Sequence, residues 1–124
     1  MLANELIKGT LTTIILTLLK EEGRMYGYDI TKAVKDRTDG KILLKEGSLY
    51  PALHKLRAEG LVKTEEELIG KRVRIYYRLT AKGIKQTTTQ VDELLSFLDT
   101  VQQLILNKKP LAHGWAFRHN VWRD

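Results

Sequence analysis

The side chains best equipped for chemistry sit in one short stretch. Ser48, Tyr50, His54 and Lys55 carry hydroxyl, imidazole and ammonium groups that bond phosphate oxygens or base edges, and a histidine can donate to guanine N7 or O6. Tyr50 and Pro51 add apolar surface suited to a thymine methyl. Lys45 stands just ahead of them, and Lys71, Arg72 and Arg74 follow after a short link. Cations at a hairpin tip suit a minor groove or flanking phosphates. Each feature also has an ordinary reading. A polar helix face is commonly just solvated, and Glu65, Glu66 and Glu67 lie where a hairpin sets them across from Arg72 and Arg74. The succession of the two, a helix with one polar face and then a basic hairpin, makes double-stranded DNA the leading candidate partner.

Elements of definite type must hold these groups. Leu49, Ala52, Leu53 and Leu56 fall on one side of a helix predicted from about Ser48 to Ala58. Pro51 is tolerated only in a first turn, which puts the helix start between Glu46 and Ser48 with Ser48 as N-cap. Tyr50, as the residue before proline, resists helical angles. Two strands follow, Leu61 to Leu68 and Lys71 to Leu79, around Ile69-Gly70. In the second, Val73, Ile75, Tyr77 and Leu79 alternate with Arg72, Arg74, Tyr76 and Arg78, the period of a half-buried strand. Arg78 reads as structural.

Upstream, Ile7, Leu11, Ile14, Ile15, Leu18 and Leu19 share one face of a helix from Leu6 to Lys20, which Glu21-Glu22-Gly23 ends. Its four threonines lower its intrinsic propensity, so packing must hold it. A second helix runs from about Gly27 to Arg37, and Ile42-Leu43-Leu44 is expected to be extended beside the hairpin. Lys20, Arg24 and Tyr28 flank the start of that second helix. In helix-turn-helix proteins this region crosses the DNA backbone, so Tyr28 either bonds a phosphate or packs on the hairpin. Thr80 opens a last helix ending near Asn107, about 40 Å long at 1.5 Å per residue. Val91, Leu94, Leu95, Leu98, Val101, Leu104 and Ile105 form a seam on it for which a second copy of the chain is the natural partner.

Charge points the same way. Lys41 to Lys85 carry eleven basic and five acidic residues, whereas Met1 to Gly40 carry six of each. Most of the net +6 therefore sits on the proposed helix and hairpin, as phosphate binding requires. At 124 residues the chain has room for one domain and an appendage. With no cysteine, disulfides and thiolate chemistry are excluded and the cytoplasm fits best. No signal peptide or membrane span is expected, since Leu11 to Leu19 is broken by threonines. His54, His113 and His119 lack metal-site spacing, no glycine-rich phosphate loop precedes a lysine, and Ser48 and His54 fall on different helix faces. No catalytic residues, cofactor or metal are assigned.

The quoted segments K-G-T-L-T-T-I-I-L-T-L-L, Y-G-Y-D-I, E-G-S-L-Y-P-A-L-H-K-L-R-A-E-G-L and R-I-Y-Y-R-L-T-A-K-G resemble the PadR family of bacterial transcriptional regulators over roughly Leu6 to Lys85. The resemblance implies a winged helix-turn-helix domain, a C-terminal dimerisation helix, repression of a promoter and release of the operator by a small effector. The recognition positions would fall on Ser48, Tyr50, Pro51, His54 and Lys55, with Tyr28 on a phosphate. The short C-terminal region resembles the smaller branch of the family. Phe97, the single aromatic residue on the last helix, is the candidate effector contact, and one aromatic argues against a large drug pocket.

The expected architecture is mainly α with a small β-hairpin: a winged helix-turn-helix DNA-binding domain at 1–80, a dimerisation helix at 81–109 and a disordered tail at 110–124. Trp115, Phe117 and Trp122 in that tail otherwise stack on a ligand or partner. The expected function is a homodimeric, cytoplasmic repressor on an inverted-repeat operator. A winged-helix adaptor for other proteins, or a ligand sensor acting through a dimer cavity, are the alternative readings.

Overall fold

Apolar residues at helical spacing build the first element, α1 (Asn4–Glu22). Ile7, Leu11, Ile15, Leu18 and Leu19 are buried as the period predicts, joined by Leu16, while Ile14 is only partly covered. The threonines are accommodated locally: Thr10 and Thr17 donate to the carbonyls of Leu6 and Thr13 at 2.9 and 2.8 Å, so neither hydroxyl is left unpaired in the helix. The computed structural model describes residues 4–107. The aromatic tail expected to be disordered at 110–124, with His113 and His119, lies outside the described residues, as do 108 and 109 of the expected dimerisation helix.

Arg24–Tyr26 forms a strand, β1, where the sequence suggested only a lead-in to the next helix. It abuts α2 (Gly27–Arg37), whose Asp29 carboxylate accepts the Tyr26 backbone N–H at 3.2 Å and satisfies one orphan donor of the first turn. Ile42 and Leu44 pack on the core without forming a strand. The segment thus stays outside the sheet, and β1 supplies the third strand. The sheet has the order β1-β3-β2, antiparallel throughout.

The third helix, α3 (Glu46–Ala58), has Lys45 as its extended N-cap residue. Ser48 is thus the third helical residue rather than the cap. Pro51 is the sixth, a turn later than expected. Its ring removes the bond that residue 51 would give the Gly47 carbonyl, and Gly47 is exposed, so water can serve that oxygen. Leu49, Leu53 and Leu56 are all but inaccessible and weld α3 to the core.

The hairpin pairs β2 (Val62–Ile69) with β3 (Arg72–Leu79) in continuous register from Val62 opposite Leu79 to Ile69 opposite Arg72. Gly70, at φ 63°, takes the positive angle that a two-residue hairpin turn demands at its first position. Tyr77 and Leu79 are buried, but Val73 on the same face is 59% exposed. The alternation marks a half-buried strand only in its lower half. Among the described residues no layer packs against the apolar face of the upper half, which stands out as the wing.

Thr80 caps α4 (Ala81–Leu106). Its Oγ1 accepts the Gly83 N–H at 3.0 Å and donates to the Gly60 carbonyl at 2.6 Å, and Lys82 Nζ donates to the Glu59 carbonyl at 2.9 Å. One hydroxyl thus ties the end of α3 to the start of α4. Thr80→Val is expected to lower the unfolding free energy by about 1 kcal/mol, read from denaturant melts.

The chain divides into two units, Met1–Thr87 and Thr88–Asp124. The first holds the winged helix-turn-helix and the first two turns of α4, where Gly83 and Thr87 are buried. In the second, the described residues continue α4. There Val91, Leu94 and Val101 are partly covered, while Leu95, Phe97, Leu98, Leu104 and Ile105 are exposed.

Candidate nucleic-acid interface

The outward face of α3 is set by its inward one. With Leu49, Leu53 and Leu56 fixed in the core, the 3.6-residue period turns Ser48, Pro51 and Lys55 outward, with His54 beside them. Pro51, His54 and Lys55 are exposed, Ser48 is half-covered, and Lys45 is exposed at the helix start. Tyr50 departs from the expectation of an outward contact. It is half-buried and packed against the core, with its ring end so close to Gly27 that a Cβ there would run into the phenol. Gly27 is therefore a packing residue that sequence reasoning missed, and Tyr50 props α3 against the start of α2. Burial, reinforced by Tyr50 nearby, pushes the Tyr77 phenol above its ordinary pKa.

The wing resolves its charges differently from the sequence expectation. Glu67 lies opposite Arg74 and Glu65 opposite Tyr76. Yet Glu67 pairs with Arg24 at 2.8 Å, and Glu65 with Arg78 at 3.0 Å and Arg24 at 3.6 Å. Glu66 sits on the other face, opposite Ile75. The glutamates thus do not neutralise Arg72 and Arg74, and Arg78 has the structural role expected of it. Lys71 and Arg72 at the tip are exposed and make no ion pair among the described residues.

Arg74 lies over the Tyr26 ring, 4.1 Å from its centroid. A hydrogen bond with Tyr76, and the nearby tyrosine and Asp29 oxygens, hold its guanidinium pKa above the ordinary arginine value. Tyr26 meets Tyr76 edge-on at 5.6 Å and stacks on Tyr28 at 6.1 Å. Tyr28 is 60% exposed, so its ring rests on Tyr26 while much of it remains open to a partner. From sequence Tyr26 leads into α2 and shares a helical spacing with Ile30, Ala33 and Val34, a pattern that does not reveal that β1 brings it beside the wing.

Between the wing, β1 and α3 lies a cleft of about 490 Å³, lined by Tyr26, Gly27, Tyr50, Arg72, Arg74 and Tyr77 among others. A second groove of about 470 Å³ runs along α2 past Tyr28, Thr31, Lys32 and Lys35. Lys32 pairs there with Asp36 at 2.7 Å, a hydrogen bond that raises its pKa. Among the described residues no cluster of histidine, aspartate and glutamate is placed to hold a metal ion. None of the described helices is long and apolar enough to cross a membrane.

Comparison with known proteins bears on this arrangement. A family model described as the transcriptional regulator PadR-like family matches residues 15–89. An uncharacterised protein of Lysinibacillus sphaericus is 34% identical over 86 residues, 67% of this chain and 76% of that protein. The structure of a transcriptional regulator from Clostridium thermocellum superposes with a TM-score of 0.75 at 33% identity, over 83% of this chain and 97% of the other. The crystal structure of Bacillus subtilis PadR in complex with operator DNA gives a TM-score of 0.60 at 30% identity. That match covers 66% of this chain but 45% of the Bacillus protein.

Proposed function

Because the chain belongs to the PadR-like family of transcriptional regulators, we propose that it represses a promoter by binding an inverted-repeat operator as a homodimer. The observation that carries this reading is the unpaired cationic tip of the wing standing beside the exposed face of α3. Ser48, Pro51, His54 and Lys55 would enter a major groove, with Lys45 and Tyr28 on the flanking phosphates. Lys71 and Arg72 would follow the adjacent backbone or minor groove, with Arg74 behind them. Tyr50 contributes by fixing α3 rather than by touching bases. An adaptor for other proteins has no need of such surplus charge. The Bacillus relative solved on operator DNA supports DNA as the partner.

Two copies joined along Val91, Leu94, Leu95, Leu98, Val101, Leu104 and Ile105 would present two recognition helices to successive major grooves about 34 Å apart. A small effector that alters this joint would release the operator, with Phe97 the aromatic side chain nearest to hand on that helix. The cytoplasm, where the promoter lies, is the matching location.

Titration of the protein against the DNA upstream of its own gene, at several salt concentrations, tests the proposal. Equal affinity for random duplex would rule out specific regulation. Lys71→Ala is expected to weaken binding to every sequence and to reduce the salt slope by about one; an unchanged slope would remove the wing from the interface. His54→Ala is expected to cost about 1–3 kcal/mol of sequence discrimination while leaving the slope as it was.

A further inference from the structure

Arg24 lies on the edge strand β1, yet its side chain reaches across the sheet to the wing. Its guanidinium arches over the central strand, 3.8 Å from the Tyr76 ring centroid. It ends on two carboxylates of the far strand, with Nη2 2.8 Å from Glu67 and Nη1 3.6 Å from Glu65. By register Glu67 belongs opposite Arg74, and directly opposed charges on adjacent strands ordinarily pair. Arg74 instead stacks on Tyr26. Stacking engages the flat face of a guanidinium, so the edge donors that Tyr76 does not use are left for a phosphate.

The charge arithmetic follows from these contacts. Among the side chains of the three strands, Arg24, Arg74 and Arg78 face Glu65 and Glu67 around Tyr76, three positive charges against two negative, with Asp29 of α2 also near Arg74. Without Arg24 the count is two against two. Arg78 already holds Glu65, so the carboxylate left over is Glu67, and the cation directly opposite it is Arg74.

Building on the wing's proposed contact with DNA, we propose that Arg24 is a positioning residue for DNA binding: by taking up Glu67 and sharing Glu65, it keeps Arg74 stacked on Tyr26 with its donors turned to the DNA backbone. Arg24 itself need not touch the nucleic acid. Exposed ion pairs contribute little to folding, so the device acts on affinity rather than on stability.

The test compares Arg24→Gln with the triple variant Arg24→Gln/Glu65→Gln/Glu67→Gln in the salt-dependent titration described above. Arg24→Gln is expected to lose about tenfold in affinity for operator and unrelated duplex alike, with the salt slope reduced by about one. The triple variant is expected to return to within about twofold of the unaltered protein, because neither wing carboxylate then remains to draw Arg74 off Tyr26. Arg24→Gln binding as tightly as the unaltered protein would overturn the proposal. So would a triple variant as weak as the single one, which would make Arg24 a direct contact or a purely structural residue.

Glu67→Gln alone leaves β1 untouched and supplies a check that does not depend on how Arg24→Gln folds. It is expected to bind at least as tightly as the unaltered protein, and weaker binding would count against the device. Lys71→Ala run in parallel separates the two ideas. If it weakens binding while Arg24→Gln does not, only the role of Arg24 fails. If neither matters, the wing is not at the DNA.

Discussion

Gly83→Ala is expected to lower the thermal midpoint of the first unit by about 15 °C, equivalent to roughly 3 kcal/mol for a domain of this size. Alanine is the better helix former by about 1 kcal/mol, so propensity alone would make the change stabilising. Sterics decide the sign. A Cβ at Gly83 would run into the Leu61 carbonyl oxygen, with the carbonyl carbon at 2.9 Å and the Cα at 3.3 Å. These are backbone atoms, and the Leu61 carbonyl is already held by the Thr80 N–H at 3.0 Å, so they cannot rotate aside as a side-chain tip would. Forcing a methyl into a packed site typically costs about 1–3 kcal/mol and at times more. Here it must separate α4 from the segment that closes α3. Gly9→Ala is the matched control. Gly9 is exposed on α1 with nothing within 4 Å of an added Cβ, and the same substitution there is expected to stabilise by about 0.5–1 kcal/mol. Chemical denaturation of both variants gives opposite shifts in midpoint if the contact at Gly83 is what the geometry shows. Equal shifts would mean that the approach of α4 to Leu61 is looser than this.

Long periodic segments were legible in the sequence because their physics is one-dimensional. Leu49, Leu53 and Leu56 share a face whatever they pack against, and the alternation from Arg72 to Leu79 states a strand without reference to its neighbours. What escaped depends on contacts between distant residues. β1 is three residues long, too short for any period, and exists because β3 offers Arg78, Tyr77 and Tyr76 to pair with Arg24, Met25 and Tyr26. Tyr50 has the composition of a base contact, and only the proximity of Gly27 in space shows it to be a prop. The same holds for the wing charges. Sequence neighbours placed Glu67 against Arg74, and the sheet order β1-β3-β2 brought in Arg24, more than forty positions away, to take the carboxylate. Pro51 was misplaced by one turn because the rule confining proline to a first turn counts the lost hydrogen bond in full, and at exposed Gly47 water offsets part of that loss.

Leu98→Glu is expected to convert the protein to a monomer at micromolar concentration and to weaken binding to a full operator by at least 100-fold, while affinity for a single half-site stays within about threefold. The reasoning starts from the spacing of the seam. Val91, Leu94, Leu98, Val101 and Ile105 recur at intervals of three, four, three and four residues, the spacing that knobs take in a left-handed helix pair. Leu98 at its centre is 49% exposed and Ile105 near its end is 73% exposed. Fully burying a leucine contributes about 1.5–3 kcal/mol, of which a half-exposed side chain has roughly half still to gain, and in a symmetric pair the gain counts twice. A glutamate forfeits that gain and places two carboxylates against each other in an apolar seam, a desolvation penalty of several kcal/mol. Acidic Glu93 and Asp99 already stand on α4, with no basic residue from 86 to 106, so this stretch of α4 offers the new charge no counter-ion. The head is built from residues that end at Thr87, which is why half-site binding should survive. Sedimentation across a concentration series, run beside titration of full and half operators, reads both effects. A variant that stays dimeric would place the self-association surface elsewhere on the chain. One that becomes monomeric but keeps full operator affinity would show that a single copy reads the whole site.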